Sequence, residues 1–140
     1  MRKLLLIPLL IFSLMIPVKV NADPTFIESQ LIRCTCYTAT EGSVTASGKT
    51  VREDIVAGKS EWLGCSCVIY ENNDGKLGDL IGFFEVCDTG AGVDTDGDGI
   101  GDSIKKGKSI DVYRNTLDRC YDWINEYGDY VFIQIIPAVG

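Results

Sequence analysis

The apolar positions of this chain fall into short runs separated by polar, glycine-rich stretches. The first run, 4–18, is almost continuously apolar and is interrupted by Pro8 and Pro17. Beyond it the pattern becomes β-type. Residues 31–38 (Leu31-Ile32-Arg33-Cys34-Thr35-Cys36-Tyr37-Thr38) are rich in strand formers and stop at a Gly/Ser/Thr loop over 41–49. Ile55-Val56-Ala57 predicts a short apolar strand. Residues 64–70 predict another, closed by Glu71-Asn72-Asn73-Asp74-Gly75, a turn with an Asp-Gly signal. Residues 80–87 form a third long strand, with Gly82 marking a bulge or bend. Residues 109–113 are short and extended. Residues 130–136 are nearly all β-branched or aromatic, the composition of a central strand.

One stretch carries a helical period. Leu117, Cys120, Tyr121, Ile124 and Tyr127 recur at i, i+3, i+4, i+7 and i+10, which is one helix face. Asn115 or Thr116 supplies its N-cap and Gly128 its stop. Together these elements predict a mainly β fold, a small β-barrel with one helix (about 115–127) packed on it.

The apolar run at 4–18 follows Arg2 and Lys3 and precedes Val20-Asn21-Ala22, a small-residue cleavage pattern. It predicts a signal peptide over 1–22 and a single domain over 23–140. The run is shorter than the roughly 20 residues a membrane span needs, so a secreted, monomeric protein without a membrane anchor is expected. Of the 140 residues 46% are hydrophobic and 24% charged, a globular composition for one domain. The net charge is −7, and cleavage after Ala22 would take it to about −10. An acidic surface repels phosphate, so nucleic acid is not an expected partner. The chain contains no histidine. That excludes Ser-His-Asp and Cys-His catalysis, histidine zinc sites and an imidazole base.

Export changes how the six cysteines are read. Cys34 and Cys36, Cys65 and Cys67, then Cys87 and Cys120 predict disulfides in a secreted chain. Two cysteines at i and i+2 of a strand share a face but lie too far apart for an easy bridge. Bonds are therefore expected between strands or from strand to helix, with the connectivity open. C-x-C rather than C-x2-C spacing argues against zinc.

The sharpest local motif is Asp94-Thr95-Asp96-Gly97-Asp98-Gly99-Ile100-Gly101-Asp102. Carboxylates of Asp94, Asp96, Asp98 and Asp102 stand at positions 1, 3, 5 and 9, glycine at 6, and Ile100 at 7 offers its backbone carbonyl. Hard oxygens so spaced suit a Ca2+ ion. The segment follows the first part of an EF-hand loop and resembles still more the calcium loops of thrombospondin type 3 repeats and dockerin-like segments. Position 12 is Lys105, where an EF-hand has glutamate. A structural calcium ion is expected, with no cofactor for catalysis.

Two aspartates are candidates for chemistry. Asp88, in Cys87-Asp88-Thr89-Gly90, ends an apolar strand, and Asp111 lies alone among apolar residues in Ser109-Ile110-Asp111-Val112-Tyr113. A desolvated carboxyl with a second acid nearby has a raised pKa and serves as a proton donor, which suits acid–base work on a glycosidic bond.

The order of these motifs is informative. Tyr37-Thr38, Thr45-Ala46-Ser47-Gly48-Lys49, Ile55-Val56-Ala57, Leu63-Gly64, Cys87-Asp88-Thr89-Gly90 and Lys106-Gly107-Lys108-Ser109-Ile110-Asp111-Val112-Tyr113 form a series, closed by Gly128 and a β-rich strand. Over about 31–137 the chain resembles the three-aspartate (3D) domain family. Its fold is a six-stranded double-psi β-barrel related to the catalytic domain of the lytic transglycosylase MltA, and more distantly to RlpA and the barwin/expansin group. The resemblance implies cleavage of peptidoglycan glycan strands to a 1,6-anhydro end at the bacterial cell wall. It makes Asp111 the acid and then base, and Asp88 its tuning neighbour. Thr45 and Ser47 match positions near the groove. The family's Ala-Val-Asp-Pro stretch is replaced by Ala57-Gly58-Lys59-Ser60-Glu61-Trp62-Leu63-Gly64, so its first aspartate is absent and Lys59 or Glu61 stands in its place. Trp62 is either core or a sugar-stacking platform. Two other readings follow from the departure: a non-catalytic carbohydrate-binding barrel, or a calcium- and disulfide-stabilised secreted interaction domain.

Overall fold

The computed structural model describes residues 28–138. The expected signal peptide, 1–22, lies outside the described residues. In chain order the elements are β1 (Gln30–Tyr37), β2 (Ile55–Ala57), a 3-10 turn (Ser60–Trp62), β3 (Ser66–Asn73), β4 (Lys76–Asp88), β5 (Ser109–Tyr113), α1 (Leu117–Tyr127) and β6 (Tyr130–Ile136). The protein is thus mainly β with one helix.

The strands close into a single barrel in the order β1-β5-β2-β4-β3-β6. Two neighbouring pairs are parallel, β1 with β5 and β2 with β4. The other four are antiparallel. Closure leaves no free sheet edge. Strands consecutive in sequence, β1 and β2 or β4 and β5, are not neighbours, so the connections 38–54 and 89–108 must cross the barrel wall.

Alternation along the strands fills the interior. Ile32 and Cys34, Val56, Cys67 and Ile69, Phe84 and Val86, Ile110 and Val112, and Val131 and Ile133 form one buried cluster with Trp123 of α1. Ile55, Cys87 and Tyr113 project from the other side of the same wall and pack with Tyr37, Ala39 and Val51. β2 is therefore covered on both faces, and its three residues are all apolar.

Three expectations need correction. The β3–β4 hairpin extends further than predicted, because Asn73 pairs with Lys76 and only Asp74-Gly75 turn. Asp74 adopts φ 51 and Gly75 φ 84, the left-handed geometry such a tight turn requires. The sheet is irregular between Ile69 and Tyr70, opposite Gly82 and Leu80, which is the bend expected at Gly82. The helix face is shifted: Cys120 and Trp123 are buried, whereas Leu117 and Tyr121 are more than half exposed. Trp123 takes the anchoring role because its ring meets Phe84 edge-on and carries the Arg114 guanidinium at 4.5 Å. The cap is Thr116, whose hydroxyl accepts the Arg119 amide at 3.2 Å.

The cysteines give the last correction. One disulfide forms, Cys36 on β1 to Cys120 on α1, the strand-to-helix type expected. Cys34, Cys65, Cys67 and Cys87, also expected in bridges, are thiols in the structure. Their placement separates them: Cys34 and Cys67 point into the barrel, while Cys87 belongs to the cluster on the wall's outer side. Burial pushes the Cys34 thiol up to about 12 and raises that of Cys67 as well, so neither is a reactive thiolate.

Candidate functional site

Sheet register carries the two aspartates into one row. Across β1-β5-β2-β4, Thr35 stands opposite Asp111, Asp111 opposite Ala57, and Ala57 opposite Asp88. Paired residues project to the same face. Here it is the outer face, since Ile110 and Val112 on either side of Asp111 fill the interior. Only Ala57, the smallest side chain in the row, separates the acids. They stand two strand spacings apart, about 9–10 Å between Cα atoms.

A bulge makes this row possible. Val56 pairs with Val86 but Ala57 pairs with Asp88, so Cys87 is the extra residue. In unbroken register Ala57 would face Cys87, and Asp88 would turn into the barrel. The bulge re-aims the carboxylate outward.

The two acids have different surroundings. Asp111 is largely buried, and Thr35 Oγ1 donates to its Oδ1 at 3.0 Å. Burial pushes its carboxyl up to about 6; the Thr35 hydroxyl opposes this shift and the charge of Asp88 adds to it. Asp88 accepts from Tyr37 Oη at 3.1 Å and from the amides of Ala46 and Thr89 at 3.0 Å each. Burial and the Asp88 charge raise the Tyr37 phenol well above its ordinary range, which keeps it a donor. Its ring rests edge-on against Tyr113, with centroids 5.5 Å apart.

Thr45 and Ser47 support this arrangement. Thr45 is buried, donates to the Lys49 carbonyl at 2.8 Å and pairs with Ser47 Oγ at 2.9 Å. The Ser47 amide donates to the Cys87 carbonyl at 3.0 Å. Lys49 pairs with Glu85, which also pairs with Arg52. These bonds lay the loop along β4 and aim the Ala46 amide at Asp88. Thr45 is thus a loop brace whose hydroxyl is engaged by Lys49 and Ser47.

Trp62 is half-buried and packs against the core. Its ring covers Gly58 and Gly107, where a Cβ would come within 3.2 and 3.3 Å of it. The Lys59 stem lies over Gly107 as well, 3.3 Å from where a Cβ on that glycine would stand.

The connection 89–108 returns the chain to β5. Ile104 is buried, and the Ser103 and Ser109 hydroxyls pair at 2.6 Å beneath it. Gly92 has φ 77, and a Cβ there would approach Ser103 Oγ to 2.1 Å, so only glycine fits this crossing. Beyond it the acidic loop folds on its own carboxylates. Asp94 accepts from the amides of Asp96, Gly97 and Gly99, and Asp102 from the amide and hydroxyl of Thr95. Asp94, Asp96 and Asp102 bring carboxylate oxygens within 4.8 Å of one another. Asp98, expected in the set, stands outside it and caps the Ile100 amide at 2.8 Å. Lys106 neutralises the cluster by pairing with Asp102 and with Asp96 at 3.3 Å. That lysine, followed by hydrogen bonds from Thr95, holds the Asp102 carboxyl well below the usual range.

Sequence reading singles out Asp88 and Asp111 but misses Thr35 as the partner of Asp111. Its position between Cys34 and Cys36 on a predicted strand is the available signal, since it marks the face opposite Cys34.

A closed β-barrel with a paired-aspartate row on its outer wall is the class this geometry defines. No protein-family model matches the chain, and no curated protein matches it. Among solved structures, a Streptomyces papain inhibitor (SPI) is similar at 16% identity and a TM-score of 0.47, over 77% of this chain and 96% of that one.

Proposed function

We propose that this chain is a secreted, wall-directed enzyme that cleaves peptidoglycan glycan strands as a lytic transglycosylase. The observation that carries this reading is the largely buried Asp111, with a carboxyl near pKa 6, in one row with Asp88. A group that titrates close to working pH can both give and take a proton. Asp111 protonates the glycosidic oxygen as its bond to the anomeric carbon breaks. The 6-hydroxyl of the same sugar then attacks that carbon, and the Asp111 carboxylate takes the hydroxyl proton. The products are a 1,6-anhydro end and a free hydroxyl on the leaving sugar, with no water consumed. Asp88 raises the proton affinity of Asp111 and faces the sugar. The strand order with its two parallel pairs, and the motif order in the sequence, support a double-psi barrel of the three-aspartate type.

The test is digestion of purified peptidoglycan, with mass spectrometry of the soluble products. Release of 1,6-anhydro-muropeptides is expected. Sedimentation with the glycan but no release would favour the carbohydrate-binding barrel instead. The replaced segment 57–64 and the internally satisfied Asp88 oxygens are what support that second reading. Neither cleavage nor binding would leave the interaction domain.

For the loop 94–102 we propose a structural calcium ion held by Asp94, Asp96 and Asp102. Their hard, converging oxygens fit such an ion, and its arrival would displace Lys106. Calcium at about 100 times its Kd should stabilise the protein by about 2.7 kcal/mol. A thermal melt should show this as an upward shift that magnesium does not reproduce. Asp94→Asn should abolish it, and a calcium-insensitive melt would remove the ion from the account.

A further inference from the structure

The aspartate row occupies one half of the barrel's outer wall, β1-β5-β2-β4. The other half, β1-β6-β3-β4, carries a row of a different kind. Register sets Leu31 opposite Phe132, Phe132 opposite Tyr70, and Tyr70 opposite Leu80. Phe132 and Tyr70 alternate with Val131, Ile133 and Ile69 of the interior, so the row faces outward. A second row runs beside it, with Gln134 opposite Val68 and Val68 opposite Phe83. Neither row contains Asp, Glu, Lys or Arg, in a chain that is 24% charged.

The area left open here is large. Phe83 is 67% exposed, Leu80 50% and Leu31 48%. At roughly 200 Å² for a fully exposed large apolar side chain, these three with Leu77, Tyr130 and Ile136 at the margins present about 600 Å². The largest apolar patch on a monomer is commonly about 300–600 Å², and a stable pair of proteins buries about 800 Å² on each partner. The wall thus supplies most of what a stable pair needs. Its central hydroxyl is already engaged, since Tyr70 Oη donates to Gln134 Oε1 at 3.0 Å, and a satisfied group costs little to bury. A closed barrel offers no edge strand, so a partner must lie flat on the wall, sheet against sheet.

The residue order says which partner fits. Across the four strands the row runs Leu-Phe-Tyr-Leu, which reads alike from either end. A two-fold axis through its centre sets Leu31 against the partner's Leu80 and Phe132 against the partner's Tyr70. An isologous contact requires this self-complementarity. Charge points the same way. Two copies, each at −7, repel over most of their surface but meet here without an ionised group. A basic partner would find no carboxylate in these rows. A glycan would meet aliphatic ends and a hydroxyl already in use.

We propose that two copies of this chain pair back to back through the β1-β6-β3-β4 wall, about a two-fold axis between Phe132 and Tyr70. The protein is then a dimer and not the monomer expected from sequence. Both aspartate rows face away from the contact and stay open on opposite sides of the pair. The pairing is independent of what those rows bind or cleave.

Sedimentation equilibrium of the mature protein, with its Cys36–Cys120 bridge intact, tests this. Twice the monomer mass is expected at micromolar concentration, reversible on dilution and not weakened by salt. A non-reducing gel should show the monomer, because no covalent link joins the copies. Leu31→Lys and Leu80→Asp should each weaken pairing about thirtyfold or more. Both leucines are about half exposed, so each variant should keep the wild-type circular dichroism spectrum. Leu117→Asp, at an exposed position on α1, should leave the mass unchanged. Mixed one to one, the two wall variants should recover most of the affinity, since the introduced lysine then faces the introduced aspartate. A wild-type monomer at every concentration would overturn the proposal, whatever else then covers the wall. So would a dimer that survives both wall variants, which lies elsewhere, or variants that stay apart on mixing, which do not share this axis.

Discussion

Asp111→Asn should lower the release of 1,6-anhydro ends by at least about a hundredfold and yet make the protein more stable at neutral pH. The first effect is loss of the proton donor and acceptor, a contribution commonly of about 10²–10⁴-fold. The second follows from the same burial. The Asp111 carboxyl rises from 3.8 to about 6 in the fold. A raised folded pKa contributes stability that is complete below the unfolded value and is lost as pH climbs through the folded one. The wild-type protein should therefore lose stability between about pH 4 and pH 6 relative to the asparagine variant. At pH 7 the difference should reach about 1–3 kcal/mol. Melts of both proteins at pH 4 and pH 7 measure it. Equal pH dependence would mean that the carboxyl is not desolvated.

Activity should follow the same group. The rate should fall on the alkaline side of about pH 6 as Asp111 loses its proton. Thr35→Val removes a hydroxyl that favours the charged form, so the alkaline limb should move up. Asp88→Asn removes a like charge, so the limb should move down. A merely structural role for either residue would lower the rate at every pH and leave the limb in place.

Sequence pattern predicts well wherever one strand's own residues decide its fate. β2, β5 and β6 are short apolar runs bounded by turn residues, and their limits stand at Ile55–Ala57, Ser109–Tyr113 and Tyr130–Ile136. The start of β4 is hidden because residues 76–79 hold a single apolar position, so the predicted strand begins only at 80. It is extended because β3 lies beside it. The acidic loop is legible from spacing, since its carboxylates bond to amides two to five residues away. The aspartate row is not legible in the same way. It depends on the parallel β1–β5 and β2–β4 pairings, which join residues far apart in sequence. It also depends on a bulge at Cys87 that exists only relative to β2. The helix face fails for a related reason. Tyr121 has the right period, but the disulfide at Cys120 and the Arg114–Trp123 stack rotate the buried stripe toward Trp123.

Replacing both Cys36 and Cys120 by serine should cost about 3 kcal/mol and lower Tm by about 10–20 °C. The bond closes a loop with a sequence separation of 84, and its Cα atoms stand 5.5 Å apart, within the range a disulfide spans without moving the backbone. Chain entropy alone assigns a loop of that length about 4–5 kcal/mol, and measured bridges commonly deliver somewhat less. Reductant should bring the wild-type melt down to that of the double variant and leave the variant unmoved. Cys34→Ser should respond differently, since its cost is burial of a hydroxyl inside the barrel and not loss of a cross-link. The aspartate row should survive the loss of the bridge at low temperature. β1 keeps its ladders to β5 and β6, and Thr35 still faces Asp111 across the first of them. The bridge therefore sets the temperature up to which the site persists, while the sheet register sets its geometry. A double variant that melts with the wild type would show that the Cys36–Cys120 bond adds nothing to the folded barrel.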